Sequence, residues 1–281
     1  MRDMLRVATE GDLAMVWSAV RAAHVFDERA ELERLFREAP WRVQVTDTGE
    51  AVVLERWRDH LGILSVRSLW CTERRVAPLM RALDDVASRQ GFADLLSPVV
   101  PESYAGQYTD AGMVICQRMI TMRLDRLQRR ESVPSVLPEG VALRLGVPDD
   151  LEALVAVDIV AFDAFWRGDV PTIHRYLAFG RVMVAEVGGR VIGYTLATVE
   201  RGEGMLGRLA VVPPHRGRGV GTGLLNDAVE YLARAGVHAV SLCTQEGNAM
   251  SRSLYRRAGF REVGGSSVFL AFGRTPETHA I

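Results

Sequence analysis

Two periodicities of apolar residues run through this chain, and the switches between them mark its elements. In the second half, apolar positions of "DDLEALVAVDIVAF" (residues 149–162) recur at the three-and-four spacing of a helix face. "RVMVAEV" and "RVIGYTLATV" are β-branched runs separated by Gly188 and Gly189, a pair that predicts a two-residue hairpin turn. "MLGRLAVV" is a further strand. After Pro213 and Pro214 come "HRGRGVGTGLL" (residues 215–225) and an amphipathic helix, "LLNDAVEYLARAG", stopped at Gly236. "VHAVSLCT" is a strand, Asn248 caps a helix in "AMSRSLYRRAG", and "FREVG" and "SVFLAF" close the half as two strands. The elements describe a mixed sheet with helices on its faces.

The same order recurs upstream. "LRVATEGDL" (residues 5–13) matches "LRLGVPDDL" (residues 143–151), and "YTDAGM" (residues 108–113) matches "YRRAGF" (residues 255–260). Each pair reads alike in its context, which predicts two copies of one domain. Between them, "QRRESVPSVLPEG" (residues 128–140) is polar with two prolines and reads as a linker. A boundary near Val133 divides the chain into 1–132 and 133–281.

Composition narrows the classes. The 281 residues carry 34 basic and 35 acidic side chains, a net charge of −1, which gives no overall attraction to nucleic acid or to an anionic membrane. Any anion site must be local. Cys71, Cys116 and Cys243 are widely spaced with no CxxC pair, which argues against structural zinc and a disulfide framework. No apolar run approaches the roughly 18–20 residues that cross a bilayer. The first residues have no signal-like apolar core, and the expectation is a cytoplasmic chain with reduced thiols.

The glycine stretch follows a strand and opens a helix. Glycines there allow positive φ and close backbone approach, and the first helical amides lack intrahelical acceptors, so the segment suits a phosphate. The dinucleotide spacing G-x-G-x-x-G and the Walker Gly-Lys-Ser/Thr are both absent. What stands here is Arg216-x-x-Gly219-x-Gly221 after "LAVVPPH", with Asn248 and Tyr255 downstream. These residues resemble the acyl-CoA signature of the GNAT N-acetyltransferase superfamily, over roughly residues 141–272.

The resemblance implies an α/β fold of two tandem GNAT-like domains, acetyl-CoA as cosubstrate, and no metal. It implies that backbone groups of Leu209, Ala210 and Val211 pair with pantetheine, and that the loop of Gly217, Arg218, Gly219, Val220, Gly221 and Thr222 holds the pyrophosphate mostly by backbone amides, with the charges of Arg216 and Arg218 assisting. Asn248 matches a cofactor-contacting position, and a strand amide near Val211 is the candidate oxyanion donor. Tyr255 stands where the family commonly places the general acid. Some members carry a basic glutamate where this chain has Cys243, which reads as a small buried apolar residue. Glu200 and Glu203, expected near the cleft, are the remaining base candidates. "AFDAFWRGD" supplies Phe162, Phe165 and Trp166 beside Asp163 and Asp169, either an acceptor wall for a cationic amine or packing. His174 reads as a surface residue.

In the first half, "CTERRVAPLM" (residues 71–80) replaces the glycine stretch, with Arg74 and Val76 opposite Gly219 and Gly221. The helix survives and the cradle does not, so the first copy is read as degenerate. The expected activity is acetyl transfer to the amine of a small molecule or peptide at the second copy. The tandem plan is similar to that of the mycothiol synthases, a plan other members share. The alternatives are a non-catalytic acyl-CoA sensor and a protein N-terminal or lysine acetyltransferase. Two similar copies allow a monomer with an internal pseudo-dimer, or a homodimer.

Overall fold

The computed structural model describes residues 5–22, 28–127, 137–200 and 202–279. It divides into two compact units, Met1–Arg118 with Ser267–Ile281, and Met119–Ser266. The units do not coincide with 1–132 and 133–281. Two long strands, β7 (Val114–Asp125) and β13 (Arg261–Ala271), each change unit along their length. The predicted boundary at Val133 and most of the predicted linker lie outside the described residues.

The first unit begins with β1 (Arg6–Val7), α1 (Leu13–Ala22), α2 (Arg29–Glu38), β2 (Val43–Val45), β3 (Ala51–Arg56) and β4 (Ile63–Trp70). α3 (Val76–Arg89), β5 (Asp94–Leu96), β6 (Val100–Pro101) and α4 (Gly106–Thr109) lead to β7. β1 to β4 pair antiparallel in chain order, β5 joins β4 in parallel, and β5 and β6 pair with the Ser267–Ala271 end of β13. Leu64, Met80, Leu83, Leu95 and Leu270 pack one core of this unit.

The second unit repeats the order. β8 (Val141–Leu145), α5 (Leu151–Ala161), α6 (Val170–Phe179), β9 (Arg181–Val187), β10 (Arg190–Glu200) and β11 (Glu203–Val211) come first. α7 (Val220–Arg234), β12 (Ala239–Gln245) and α8 (Ala249–Arg257) lead to β13. β8 to β11 are antiparallel, β12 joins β11 in parallel, and residues 119–125 of β7 pair antiparallel with β12. The repeat read from short motifs therefore holds through the elements, β6 of the first unit being the strand without a counterpart. Gly188 and Gly189 make the predicted hairpin turn, with φ of 54° and 76°. "FREVG" and "SVFLAF" are one continuous strand rather than two, because Gly264 and Gly265 stay within it.

Helices cover both faces of this second sheet. Leu154, Val157 and Ile173 from α5 and α6 pack on Val184, Tyr194 and Ala210. Leu225, Ala228, Val229 and Leu232 of α7 pack on Leu206, Val240 and Leu242. Each such buried Leu, Val or Ile side chain contributes about 1.5–3 kcal/mol relative to exposure, enough to hold both strands of a pair even where their backbones part.

Candidate active site

The backbones of β11 and β12 do part. Their parallel ladder contains only Gly204↔Val240 and Met205↔Ser241, although β11 runs on to Val211 and β12 to Gln245. A bulge accompanies the divergence. Leu196 pairs with Arg208 and Ala197 with Leu206, which leaves Gly207 as the extra residue. A bulge bends its strand and raises the local twist. The Val212 N–H donates to Ile192 O at 2.9 Å. Alternation along an antiparallel strand then turns the Ala210 groups toward β10 and the N–H and C=O of Leu209 and Val211 toward the gap.

At the downstream end of the gap, α7 begins. Its first i→i−4 bond runs from Gly223 N–H to Gly219 O at 2.9 Å. The amides of Val220, Gly221 and Thr222 thus have no intrahelical acceptor, and the helix dipole adds partial positive charge there. Gly219, the residue before the helix, has φ of 94°, and Gly217 has φ of 72°, both in the left-handed region where glycine is free of strain. A Cβ on Gly221 would stand 3.6–3.8 Å from Leu254, Leu209 and Val211. The space before these amides is therefore kept open by the missing side chain.

Gap and cradle share one cavity of about 610 Å³, lined on the strand side by Leu209, Ala210, Val211 and Gln245. Gly217, Gly219, Gly221 and Thr222 line it at the cradle, Ser251, Leu254 and Arg257 along α8, and Ala161, Phe162 and Asp163 at the end of α5. The volume suits an extended ligand with an anionic end.

The comparisons with known proteins agree with this geometry. The model of the acetyltransferase (GNAT) family matches residues 153–260. A mycothiol acetyltransferase of Pseudarthrobacter chlorophenolicus is 32% identical over 232 residues, covering 75% of this chain and 70% of that one. The chain belongs to the GNAT acetyltransferase family. This GNAT chain also matches, at 31% identity over 136 residues, a mycothiol acetyltransferase of Clavibacter michiganensis, covering 45% of this chain and 44% of that one. A tandem GNAT protein from the clavulanic acid biosynthesis pathway shares its fold, with a TM-score of 0.67 and 20% identity, over 95% of this chain and 98% of that one. A GCN5-related N-acetyltransferase from Sphaerobacter thermophilus does so with a TM-score of 0.63 and 20% identity, over 100% and 97% of the two chains. The tandem GNAT plan read from the sequence is the observed one.

Most of the expected cofactor residues of this GNAT domain come together. Leu209, Ala210, Val211, Arg216, Gly217, Gly219, Gly221, Thr222 and Asn248 line the cavity. Val220 buries its side chain in the core and offers only its amide. Arg218 is exposed and does not line the cavity. Arg216 turns inward: its Nε donates to Val211 O at 2.9 Å and its Nη2 to Ala161 O at 2.7 Å, so it ties the loop to the ends of β11 and α5. Asn248 is the helix cap as expected, accepting from Ser251 N–H at 3.0 Å.

The base candidates are corrected. Glu200 and Glu203 face each other at the hairpin between β10 and β11, at the opposite end of β11 from the cavity. Leu209 stands six positions along β11 from Glu203, about 20 Å, and Glu203 is paired with Arg123 at 2.8 Å. Neither glutamate lines the cavity. Cys243 is also corrected, being exposed rather than buried, with its Sγ 3.6 Å from the Thr121 hydroxyl. It sits on the face of β12 opposite Leu242, because strand side chains alternate.

Tyr255 lies on α8, four residues after Ser251, and packs into the core beside Phe260 with ring centroids 5.8 Å apart. Burial pushes its phenol up to about 12. It does not itself line the cavity. Of "AFDAFWRGD", Phe162 and Asp163 line the cavity, whereas Phe165 and Trp166 are buried and stack edge-on at 5.0 Å. Asp169 caps α6 by accepting from Thr172 N–H at 2.8 Å, and His174 is exposed as expected.

Sequence reasoning missed a buried ion pair beside the cavity. Arg208 of β11 donates to Asp158 of α5 at 2.8 and 2.7 Å. The signal was available, since each is a lone charge inside an apolar run, "LGRLAVV" and "LVAVDIVAF", and buried charges must be paired. Burial works against the Arg208 charge, but hydrogen bonding and charge from Asp158 outweigh it and its pKa is raised.

The first unit keeps the bulge and loses the cradle. Val53 pairs with Ser68 and Leu54 with Val66, the counterpart of the shift at Gly207. Helices α3 and α7 both open on valine, Val76 and Val220, which sets Arg75 rather than Arg74 opposite Gly219. Arg75 has a right-handed φ of −92°. Its Nε donates to Glu50 Oε1 at 2.8 Å, so a carboxylate of the chain itself pairs with the residue at this point. Among the described residues, no group of His, Cys, Asp or Glu is placed to hold a metal, and no helix is long and apolar enough to cross a membrane.

Proposed function

We propose that this protein transfers an acetyl group from acetyl-CoA to the amine of a small-molecule acceptor, at its second GNAT domain. The carrying observation is the single cavity that joins the parted strands to the open amides of α7. Pantetheine lies along β11, taking the Leu209 backbone groups and the Val211 N–H left unpaired by β12, the Val211 carbonyl being held by Arg216. The pyrophosphate takes the amides of Val220, Gly221 and Thr222, with Gly217 and Gly219 shaping the turn. Arg216 shapes the loop, Asn248 borders the cofactor, and Arg218 adds only long-range positive charge.

In this reading the acceptor nitrogen attacks the thioester carbonyl, forming a C–N bond, and an amide facing the gap at Val211 stabilises the oxyanion. Collapse breaks the C–S bond. The leaving thiolate takes a proton, for which Tyr255 is the donor proposed from the resemblance although it packs behind the cavity lining; the ammonium proton of the acceptor passes to water, and the phenol is reprotonated from water. Asp163, at the cavity wall, gives the amine a carboxylate to approach. The first domain binds no acyl-CoA.

The test is titration calorimetry with acetyl-CoA, followed by thiol release across an amine panel headed by the amine precursor of mycothiol, the acceptor suggested by the relatives' name. One equivalent of acetyl-CoA per chain and acceptor-dependent thiol release are expected. Two equivalents would overturn the degenerate reading of the first domain. Tight binding with no release for any amine would favour a sensor, and release with peptides alone would favour a protein acetyltransferase.

A further inference from the structure

Asp158 has no solvent exposure and gathers four donors. Besides the two from Arg208, the Tyr194 hydroxyl donates to it at 2.5 Å and the Gly168 N–H at 2.6 Å. Arg208 Nη2 also donates to Trp166 O at 2.7 Å. The guanidinium carbon then lies 3.7 Å from the centroid of the Phe162 ring. One ion pair thus ties together α5, the connection after it, β10 and β11. It does so next to the bulge at Gly207, where the gap between β11 and β12 begins.

Stability alone is a poor reason for such a pair. Replacing a buried ion pair with well-packed apolar side chains is often neutral or stabilising. What a guanidinium adds is direction: its planar fork is held by Asp158 in two bonds, and its flat face then sets the plane of the ring stacked on it. Phe162 is the member of the network that lines the cavity. The backbone just before it is held separately, by Arg216 at Ala161 O.

We propose that Asp158 and Arg208 are positioning residues for Phe162, whose ring, stacked on Arg208 one residue before Leu209, they set as the part of the cavity wall that meets the pantetheine arm of the donor. Neither residue touches the donor, and both act through the ring. The proposal rests on the acyl-CoA reading above.

Two ligands separate this role from general damage: acetyl-CoA, and 3′-phospho-ADP, the nucleotide end of coenzyme A without its pantetheine arm. Calorimetry on the full chain compares wild type, Arg208→Lys, Asp158→Asn, Phe162→Ala and the Arg208→Lys/Phe162→Ala double variant. Arg208→Lys and Asp158→Asn are expected to raise the acetyl-CoA Kd about tenfold. The 3′-phospho-ADP Kd should stay within about twofold, because the cradle is held by other residues. Phe162→Ala should match the single variants, and Arg208→Lys should cost nothing more in that background.

Should Arg208→Lys lose its cooperative melt, Tyr194→Phe removes only one bond to Asp158 and should weaken acetyl-CoA alone. Equal weakening of both ligands, an unchanged acetyl-CoA Kd, or additive losses in the double variant would each overturn the proposal. Wild type binding neither ligand would overturn the acyl-CoA reading itself. Wild type binding both, with Arg208→Lys silent, would overturn the positioning role alone.

Discussion

Tyr255 packs in the core of the second unit, and the mechanism proposed above also asks it for a proton. Burial raises the phenol to about 12, so it is protonated throughout the neutral range and enters each turnover with its proton in place, to be regained from water afterwards. Tyr255→Phe keeps the ring and removes the proton. Turnover should fall about a hundredfold, with the acetyl-CoA Kd unchanged by calorimetry. No alkaline limb in the rate profile should arise from this phenol below pH values near 12. Equal turnover in both forms would remove Tyr255 from the mechanism. Arg216 makes the opposite point: its charge suggests a phosphate contact, yet two of its nitrogens are spent on the carbonyls of Val211 and Ala161.

At the scale of an element, the start of α7 separates what stabilises a helix from what lets it bind. Gly221 is helical, and its missing Cβ meets nothing closer than 3.6 Å. Gly221→Ala should therefore raise stability, by up to about 1 kcal/mol from helix propensity, while placing a methyl group in the cradle and weakening acetyl-CoA. Gly219→Ala should do worse on both counts, because its φ of 94° costs an L-residue about 1–2 kcal/mol. Thermal melts and calorimetry on the two variants test the split. A Gly221→Ala chain that binds acetyl-CoA as tightly as wild type would show that the ligand does not approach this backbone.

Across the whole molecule, two copies of one frame have diverged at one matching place. In the second domain the amides that open α7 have no intrahelical acceptor. In the first that place holds Glu50, whose carboxylate takes Arg75, Thr46 and Thr48. Burial opposes the Glu50 charge, but these hydrogen bonds overcome it and draw the group from 4.5 down to about 2. A carboxylate depressed by folding stabilises the native state fully above its unfolded pKa, and that contribution fades as pH falls from about 4.5 toward 2. Glu50→Gln should flatten this part of the acid limb, removing about 1–3 kcal/mol of pH-dependent stability in denaturant titrations. An unchanged limb would show that Glu50 is as well solvated in the native state as in the unfolded chain.

Local pattern determined much of this protein. Hydrophobic periodicity, the Gly188 and Gly189 turn, the Asn248 cap and the glycines before α7 are each set by neighbours within a few residues, and each was legible in the sequence. So was the repeat, because the two copies share short motifs in one order. Tertiary structure decided the rest. Glu200 and Glu203 are near β11 in sequence, but strand direction sends them to the far end from the cavity. Cys243 is exposed because the β12 face it occupies is not covered by α7, a fact of packing that strand alternation alone does not choose. Asp158 and Arg208 stand fifty residues apart, and only the packing of α5 on β11 makes them one group. The division into compact units was not legible for the same reason, since β7 and β13 each pass from one unit to the other along their length. Spacing along the chain sets which amides and turns can form; which distant side chains meet depends on how the finished elements pack.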